Sequence, residues 1–502
     1  MLINLPINSP ARFGLNKQDS SSTLSMDWAT ELNNVVFNQS GNIASRKGTT
    51  RIHSSALTGT VQSIYQYIDN SSNTLLICSA DTNIYKVVGS TLTNITGTIT
   101  TPSSSDWKFV NFNGHCIGAQ SGSLLVYITS VSGSFSDITL SGTAQPSSSV
   151  NEILPAFGRV WALDEDVLKY SDLLDETAWN SSYSLKEYWG NGGDIGIALA
   201  EFNGHLIVFG QKNIIIYDAS QGPDNLVKVE VLNNVGCIAR DSVQQVGDDL
   251  WFLSSSGLKS LSRVIQEKSL PLRDISKNVR DYMLQYTTSY PIKSVVDERE
   301  GFYILSFPSA GIAFCFDIKV QLQDGSPRVS TFDTYWSALF STMSSSLYIG
   351  TDGYINTYSG YKDNINSNLS GGDKYEFRFY SPWTDMGFLD PSLSGKQKIL
   401  KRMSANIFSS AAQTMQFHWF TDFTSSLNRR DVRIFPETNS FQWGIGQWGI
   451  SPWSSSVNLT KGSTSMSRSA QYFKFGINVD IEGESFSLQF INIQAKIGRS
   501  VL

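Results

Sequence analysis

The feature that most constrains this chain is a hairpin that returns at an even beat. Its clearest copy is Glu201 to Asp218, EFNGHLIVFGQKNIIIYD. A polar turn, Asn203-Gly204-His205, opens a short apolar run from Leu206 to Phe209. Gly210 to Asn213 breaks that run, and Ile214 to Tyr217 resumes it. Short apolar, β-branched and aromatic runs bounded by Gly and Asn are strand signals. Taking the first apolar residue after each polar turn as an anchor gives Leu75, Cys116, Val160, Leu206, Leu250, Phe302 and Leu347, spaced 41 to 52 residues apart. The second run ends on Tyr85, Tyr127, Tyr170, Tyr217, Phe316 and Tyr358; the fifth copy carries Leu261 instead. A period near 45 residues accommodates four short strands with their turns, which is one propeller blade.

The expected fold class is therefore all-β. It comprises a β-propeller-like repeat domain of about seven four-stranded units, complete or not, and a C-terminal antiparallel β-sandwich. The alternative is a run of unrelated hairpins in several sandwiches. No WD dipeptide, kelch signature or sialidase-type Asp box accompanies the repeat, so the propeller rests on spacing and pattern. Composition agrees: 28 Phe, 20 Tyr and 12 Trp, with 16% charged residues, below the usual quarter. Helical periodicity is scarce. Ser262 to Tyr282 is the best exception, a short helix expected on a blade edge.

Three domains follow. Residues 1–54 read as an N-terminal arm and hairpin that docks on other domains or subunits. In it, Asn33 to Phe37 is a strand, Gln39 to Asn42 a turn and Ile43 to Arg51 a return strand. Residues 55–370 hold the propeller-like domain. Residues 371–502 hold the sandwich, with strands expected at Tyr375–Tyr380, Ile399–Ile407, Thr414–Trp419, Gln471–Val479 and Ser485–Ile497. Phe475, Ile477, Val479 and Ile481 share one face, and the apolar face of the last strand switches near Ile491.

The charge balance of -6 gives no electrostatic reason for sequence-specific nucleic-acid binding. Cys78, Cys116, Cys237 and Cys315 are far apart and sit in or beside apolar runs, which reads as buried thiols. The N-terminus lacks a basic region followed by an apolar core, so synthesis and folding in a cytoplasm are expected.

No catalytic constellation emerges, and no cofactor or metal is expected. His115 and His205 occupy the same turn in two repeats, which suits a structural role better than one active site. The glycine-dense stretch 190–196 lacks the Lys-Ser/Thr pair of a phosphate loop. Asp164, Glu165 and Asp166, like Asp297, Glu298 and Glu300, fall in repeat turns. The remaining candidates are interface residues: the basic clusters Arg46, Lys47, Arg51 and Lys396, Lys398, Lys401, Arg402, and the tryptophans Trp443, Trp448 and Trp453 in a Gly-rich loop. Arg429, Arg430 and Arg433 form a further basic group. Each reads either as solvated surface or domain packing, or as a partner contact.

Four stretches, in order, carry a resemblance: TELNNVVFNQSGNIASRKGTTRI, FGRVWALDEDVLKYSDLLDETAW, DIGIALAEFNGHLIVFGQKNIIIYDAS with GCIARDSVQQVGDDLWFLSSSGLKSLS, and FKFGINVDIEG with LQFINIQAKIGR. Together they resemble the tail nozzle (hub, or stabilisation) proteins of short-tailed bacteriophages. The resemblance implies a structural virion protein without enzymatic activity, forming a homohexameric ring at the distal end of the tail. It implies an adaptor protein above, fibre or tip proteins on the sides, the host envelope as a further contact, and viral DNA passing through an acidic lumen without sequence-specific binding. It supplies no residue-level motif for that lumen. The alternative is a phage carbohydrate-binding or carbohydrate-degrading propeller, an adhesin or depolymerase.

Overall fold

The computed structural model describes residues 2–500 except 101–103, 105, 181–183, 187–192, 223–224, 268–273, 365–371, 389, 410–411 and 436–457. Every anchor of the repeat is the first or second residue of the second strand of a blade. The blades' second strands are Thr74–Ala80, His115–Ala119, Arg159–Asp164, His205–Gly210, Asp249–Ser254, Phe302–Phe307 and Leu347–Gly350. The turn before three of them is tight: Asn113-Gly114, Phe157-Gly158 and Asn203-Gly204 all have positive φ at both residues. That geometry joins antiparallel strands with matching twist and is where Asn-Gly is most at ease.

Burial on both faces explains the unbroken apolar runs. In blade four, Leu206, Val208, Ile215 and Tyr217 pack with blade three, while Ile207, Phe209, Ile214 and Ile216 pack with blade five. Alternation survives as a choice between two cores rather than between core and water. Similar cores lie between blades one and two, two and three, six and seven, and seven and one. The layer between blades five and six merges with the core of the sandwich.

The ring closes. The innermost strand of blade seven, Ala338–Ser341, lies against the innermost strand of blade one, Val61–Ile68. Ser337 Oγ donates to the Val61 carbonyl at 2.7 Å. Blade seven takes its fourth strand from the N-terminus: Thr49–Arg51 runs antiparallel to Ile355–Tyr358. The unit count is thus seven, with one departure among the described residues. Blade five has three strands, Gln244–Val246, Asp249–Ser254 and Gly257–Ser260. The helix Leu261–Glu267 follows at once and packs on the second and third, which accounts for Leu261 in place of an aromatic. The expected single helix over Ser262 to Tyr282 is instead this one and a second, Arg280–Leu284.

The N-terminal segment stitches the molecule together. The expected strand Asn33 to Phe37 is broken at Asn34, which has φ +55°, into Glu31–Asn33 and Val35–Phe37. Glu31–Asn33 lies between the outer strand of blade six, Pro327–Asp333, and the first sandwich strand, Tyr375–Tyr380. Blade six therefore continues into a nine-stranded sheet that ends with Phe473–Ile481, Gln413–Thr421 and Asn428–Ile434. The expected return strand Ile43 to Arg51 is also two pieces. Ile43–Ser45 joins the second sandwich sheet beside Phe486–Ser500, and Thr49–Arg51 closes the propeller. The start of the N-terminal arm forms the strand Leu2–Asn8 on the same Phe486–Ser500 edge.

The second sheet is completed by Lys396–Ser409 and Asn458–Ala470. Phe475, Ile477, Val479 and Ile481 are all buried, as their shared face requires. The switch of apolar face near Ile491 is a register shift: Ile407 pairs with Leu488 and Asn406 with Phe490, leaving Gln489 extra. A bulge of one residue flips all that follows it, and the Gln489 carbonyl accepts the Ser9 N–H.

Candidate functional site: the propeller axis

In a propeller the innermost strands surround an axial channel, and here their leading ends carry charge. Asp106 and Lys108 stand at the start of blade two, Asn151 and Glu152 at blade three, Arg240 and Asp241 before blade five, and Lys293 at blade six. Arg240 donates from Nη2 to Asp106 Oδ1 at 2.8 Å, from Nη1 to the carbonyl and Oδ1 of Asn151, and from Nε to Asp241 Oδ1 at 3.0 Å. Lys293 Nζ donates to Asp106 Oδ1 and Asp241 Oδ2, both at 2.6 Å. Lys108 Nζ lies 3.2 Å from Glu152 Oε1.

Blades two and three meet blades five and six only across the axis, so this network bridges the channel. Cavities of about 260 Å³ and 560 Å³ lie along the inner strands, the first between blades one, two, five, six and seven. Another of about 410 Å³ lies at the strand-start end, beside Asn151, Arg240 and Tyr290. Arg240, Lys293 and Glu152 are buried, while Asp106, Lys108 and Asp241 keep 38%, 32% and 21% of their side chains exposed, so each buried base has an acid beside it that also meets solvent. Burial alone would raise Asp241, yet Arg240 and Lys293 hold it well below the usual carboxylate range. Glu152 has weaker company: burial pushes it up to about 7 against the pull of Lys108 and Arg240.

The basic cluster expected at an interface is largely internal, which corrects that expectation. Arg46 is wholly buried. Its guanidinium forms a two-pronged ion pair with Asp363, donates from Nε to Asn34 Oδ1 at 2.9 Å, and lies 4.1 Å from the Tyr375 ring centroid. Three parts of the chain are thereby pinned: the N-terminal segment, the exit from blade seven and the first sandwich strand. Lys47 pairs with Glu300, so a candidate cation and a candidate acid satisfy each other. The Arg51 guanidinium sits 3.5 Å from the Tyr354 ring centroid. Lys398 is buried as well and donates to the carbonyls of Lys396 and Gln471. Lys401 and Arg402 are exposed on the same strand, Lys396 is half-exposed, and Arg402 donates to Ser463 Oγ. Trp443, Trp448 and Trp453 lie outside the described residues.

The other candidates resolve into turns. Asp164 accepts from Ser147 and from Lys169 Nζ at 2.7 Å. Asp297 Oδ1 accepts the Glu300 N–H. Asp194 accepts the N–H groups of Gln211 and Lys212. His115 and His205 share a position but not a partner: Nδ1 of the first faces Glu176, and Nδ1 of the second the Asn203 carbonyl. Sequence reading missed Asp106, Arg240, Lys293 and Asp363. Asp106, Arg240 and Lys293 lie far apart in sequence and only the closed ring brings them together, while Asp363 meets Arg46, 317 residues away.

No family model and no curated protein matches the chain. Among solved structures, it is similar to the extracellular domain of the putative one-component system BT4673 from B. thetaiotaomicron, with 11% identity and a TM-score of 0.43 over 87% of this chain and 63% of that one. The chain thus spans less than two thirds of that protein's length. It is also similar to the WD40 β-propeller domain of Doa1, with 10% identity and a TM-score of 0.39 over 63% of this chain and 96% of that one. The Neurospora crassa Pan2 WD40 domain gives 10% identity and a TM-score of 0.38, over 63% and 95%. The class defined by the fold is an all-β protein: a seven-bladed propeller joined through a shared sheet to a β-sandwich.

Proposed function

We propose that this chain is a structural subunit of a phage tail nozzle, assembling as a homohexameric ring in the virion, with the DNA channel formed between subunits. The observation that carries this reading is the construction of the molecule as one stiff body. Blade six and the sandwich share a sheet, the N-terminal segment crosses both domains, and the buried Arg46–Asp363 pair locks the junction. A ring that contains and passes DNA needs wedges that do not flex. The propeller axis, crossed by the contacts of Arg240 and Lys293 with Asp106, supports the same reading, because a lumen for DNA then has to arise where neighbouring subunits meet. A net charge of -6 favours a surface that lets phosphates slide rather than stick. The order of the four stretches resembling nozzle proteins supplies the remaining support.

Adaptor, fibre or tip proteins and the host envelope are the partners of this role, and the role is mechanical rather than catalytic. Co-expression with the tail adaptor of the same phage, followed by native mass measurement, tests it. Six copies on an adaptor ring are expected; a chain that stays monomeric and never joins the adaptor would end the proposal.

A further inference from the structure

The outer face of the nine-stranded sheet holds a polar hollow that the nozzle reading does not use. Phe377, Phe379, Phe417, Ile477 and Val479 point into the sandwich core, so Arg378, Tyr380, His418 and Asn478, their alternating neighbours, share the opposite face. Gly476 pairs with both Tyr380 and His418. A Cβ there would lie 2.2 Å from the Tyr380 ring. The missing side chain lets Tyr380 lean across the strand to His418, where its hydroxyl lies 2.6 Å from Nδ1.

This contact orients the imidazole and leaves its other nitrogen unanswered. His418 is 4% exposed and Asn478 5%. Nε2 of His418 and Oδ1 of Asn478 are buried without a hydrogen-bond partner. Such groups cost free energy unless something pairs with them. Both residues line a hollow of about 330 Å³ with Phe420, Leu427 and Lys474. Arg378, also on its wall, is already engaged by Glu31 and Glu376. Lys474 forms no direct ion pair among the described residues: its ammonium lies 5.3 Å from the Tyr380 ring centroid, and Glu31, also on the wall and held by Arg378, attracts it only from farther off. Burial lowers the proton affinity of both Lys474 and His418.

We propose that this hollow binds one acidic saccharide unit of the hexuronic acid type. With the Tyr380 hydroxyl donating to Nδ1, neutral His418 carries its hydrogen on Nε2 and donates there. The flexible Lys474 side chain swings off the Tyr380 ring, opening the hollow, and meets the sugar carboxylate beside that donor. Asn478 Oδ1 accepts from a ring hydroxyl, and Phe420 and Leu427 face the sugar's C–H surface. A lone carboxylate uses the cation but neither the acceptor nor the apolar wall; a neutral sugar leaves the cation unpaired. The site lies on the sandwich and stands independently of ring formation.

The test is saturation-transfer NMR on the full chain with sodium glucuronate, glucose and acetate as probes. Glucuronate should receive saturation at millimolar concentration, with glucose and acetate at least tenfold weaker. Lys474→Met, which keeps the packing on Tyr380, should weaken glucuronate at least tenfold, and His418→Asn should do so too. Each variant is compared by its melting temperature, which separates lost binding from lost fold. No transfer to glucuronate, equal transfer to acetate, or an unchanged signal in a folded Lys474→Met variant would each overturn the proposal.

Discussion

Asp106 and Arg240, 134 residues apart in the chain, meet at 2.8 Å on opposite sides of the propeller axis. Their contact forms only when the ring is closed, so it reports closure rather than local structure. Removing Arg240 leaves Asp106, Asp241 and Glu152 with only Lys108 and Lys293 among them, and Asp106 keeps 38% of its side chain exposed. Arg240→Ala should therefore cost about 2–3 kcal/mol, less than a wholly buried pair would, read as a shift of the urea midpoint. A change within experimental error would mean that water reaches the cluster freely.

The Arg46–Asp363 pair should behave differently from a surface bridge. Arg46→Lys cannot restore the two-pronged geometry. Both Arg46→Lys and Asp363→Asn should speed protease cleavage near the junction of propeller and sandwich. Unaltered cleavage rates would place the rigidity of the junction in the shared sheet alone.

Deleting residues 2–51 removes the outer strand of blade seven and the strand that joins blade six to the sandwich. Hydrogen exchange should rise first in Ile355–Tyr358 and Tyr375–Tyr380, whose ladder bonds lose their partners. Protection equal to that of the full chain would show that closure does not depend on the N-terminus.

The pH response turns on Glu152. Its carboxyl rises from 4.5 to about 7 on burial. The folded state then binds more protons than the unfolded one between those values, so this group's contribution to stability falls as pH rises through that window. Asp241 has the opposite sign, and its contribution is lost only in acid, as pH falls through its depressed value. Glu152→Gln should raise the melting temperature near pH 8 by about 1 °C per kcal/mol gained, the small step expected of a body this large. The difference should shrink toward pH 5, where the wild-type carboxyl is already protonated. A pH-independent difference would point to packing rather than charge.

The blade rhythm was readable because second and third strands lie between two cores, which forces runs such as Leu206 to Phe209 to be apolar throughout. The bulge at Gln489 was readable for a different reason, as a break in the alternation of a strand with one buried face. Closure was not. Thr49–Arg51 is three residues long and polar, and its partner lies about 300 residues away. The fate of Arg46 was equally hidden, since a cation destined for a buried aspartate looks the same in sequence as one in water. The extra sandwich strands Asn428–Ile434 and Asn458–Ala470 escaped notice because each keeps few apolar residues.

The measurement closest to the central claim is electron microscopy of the assembled protein with its adaptor. The account predicts a six-fold ring whose lumen lies between subunits, with each propeller axis closed by density at Arg240 and Lys293. A passage running through the propeller axis itself, or the absence of any ring, would contradict it.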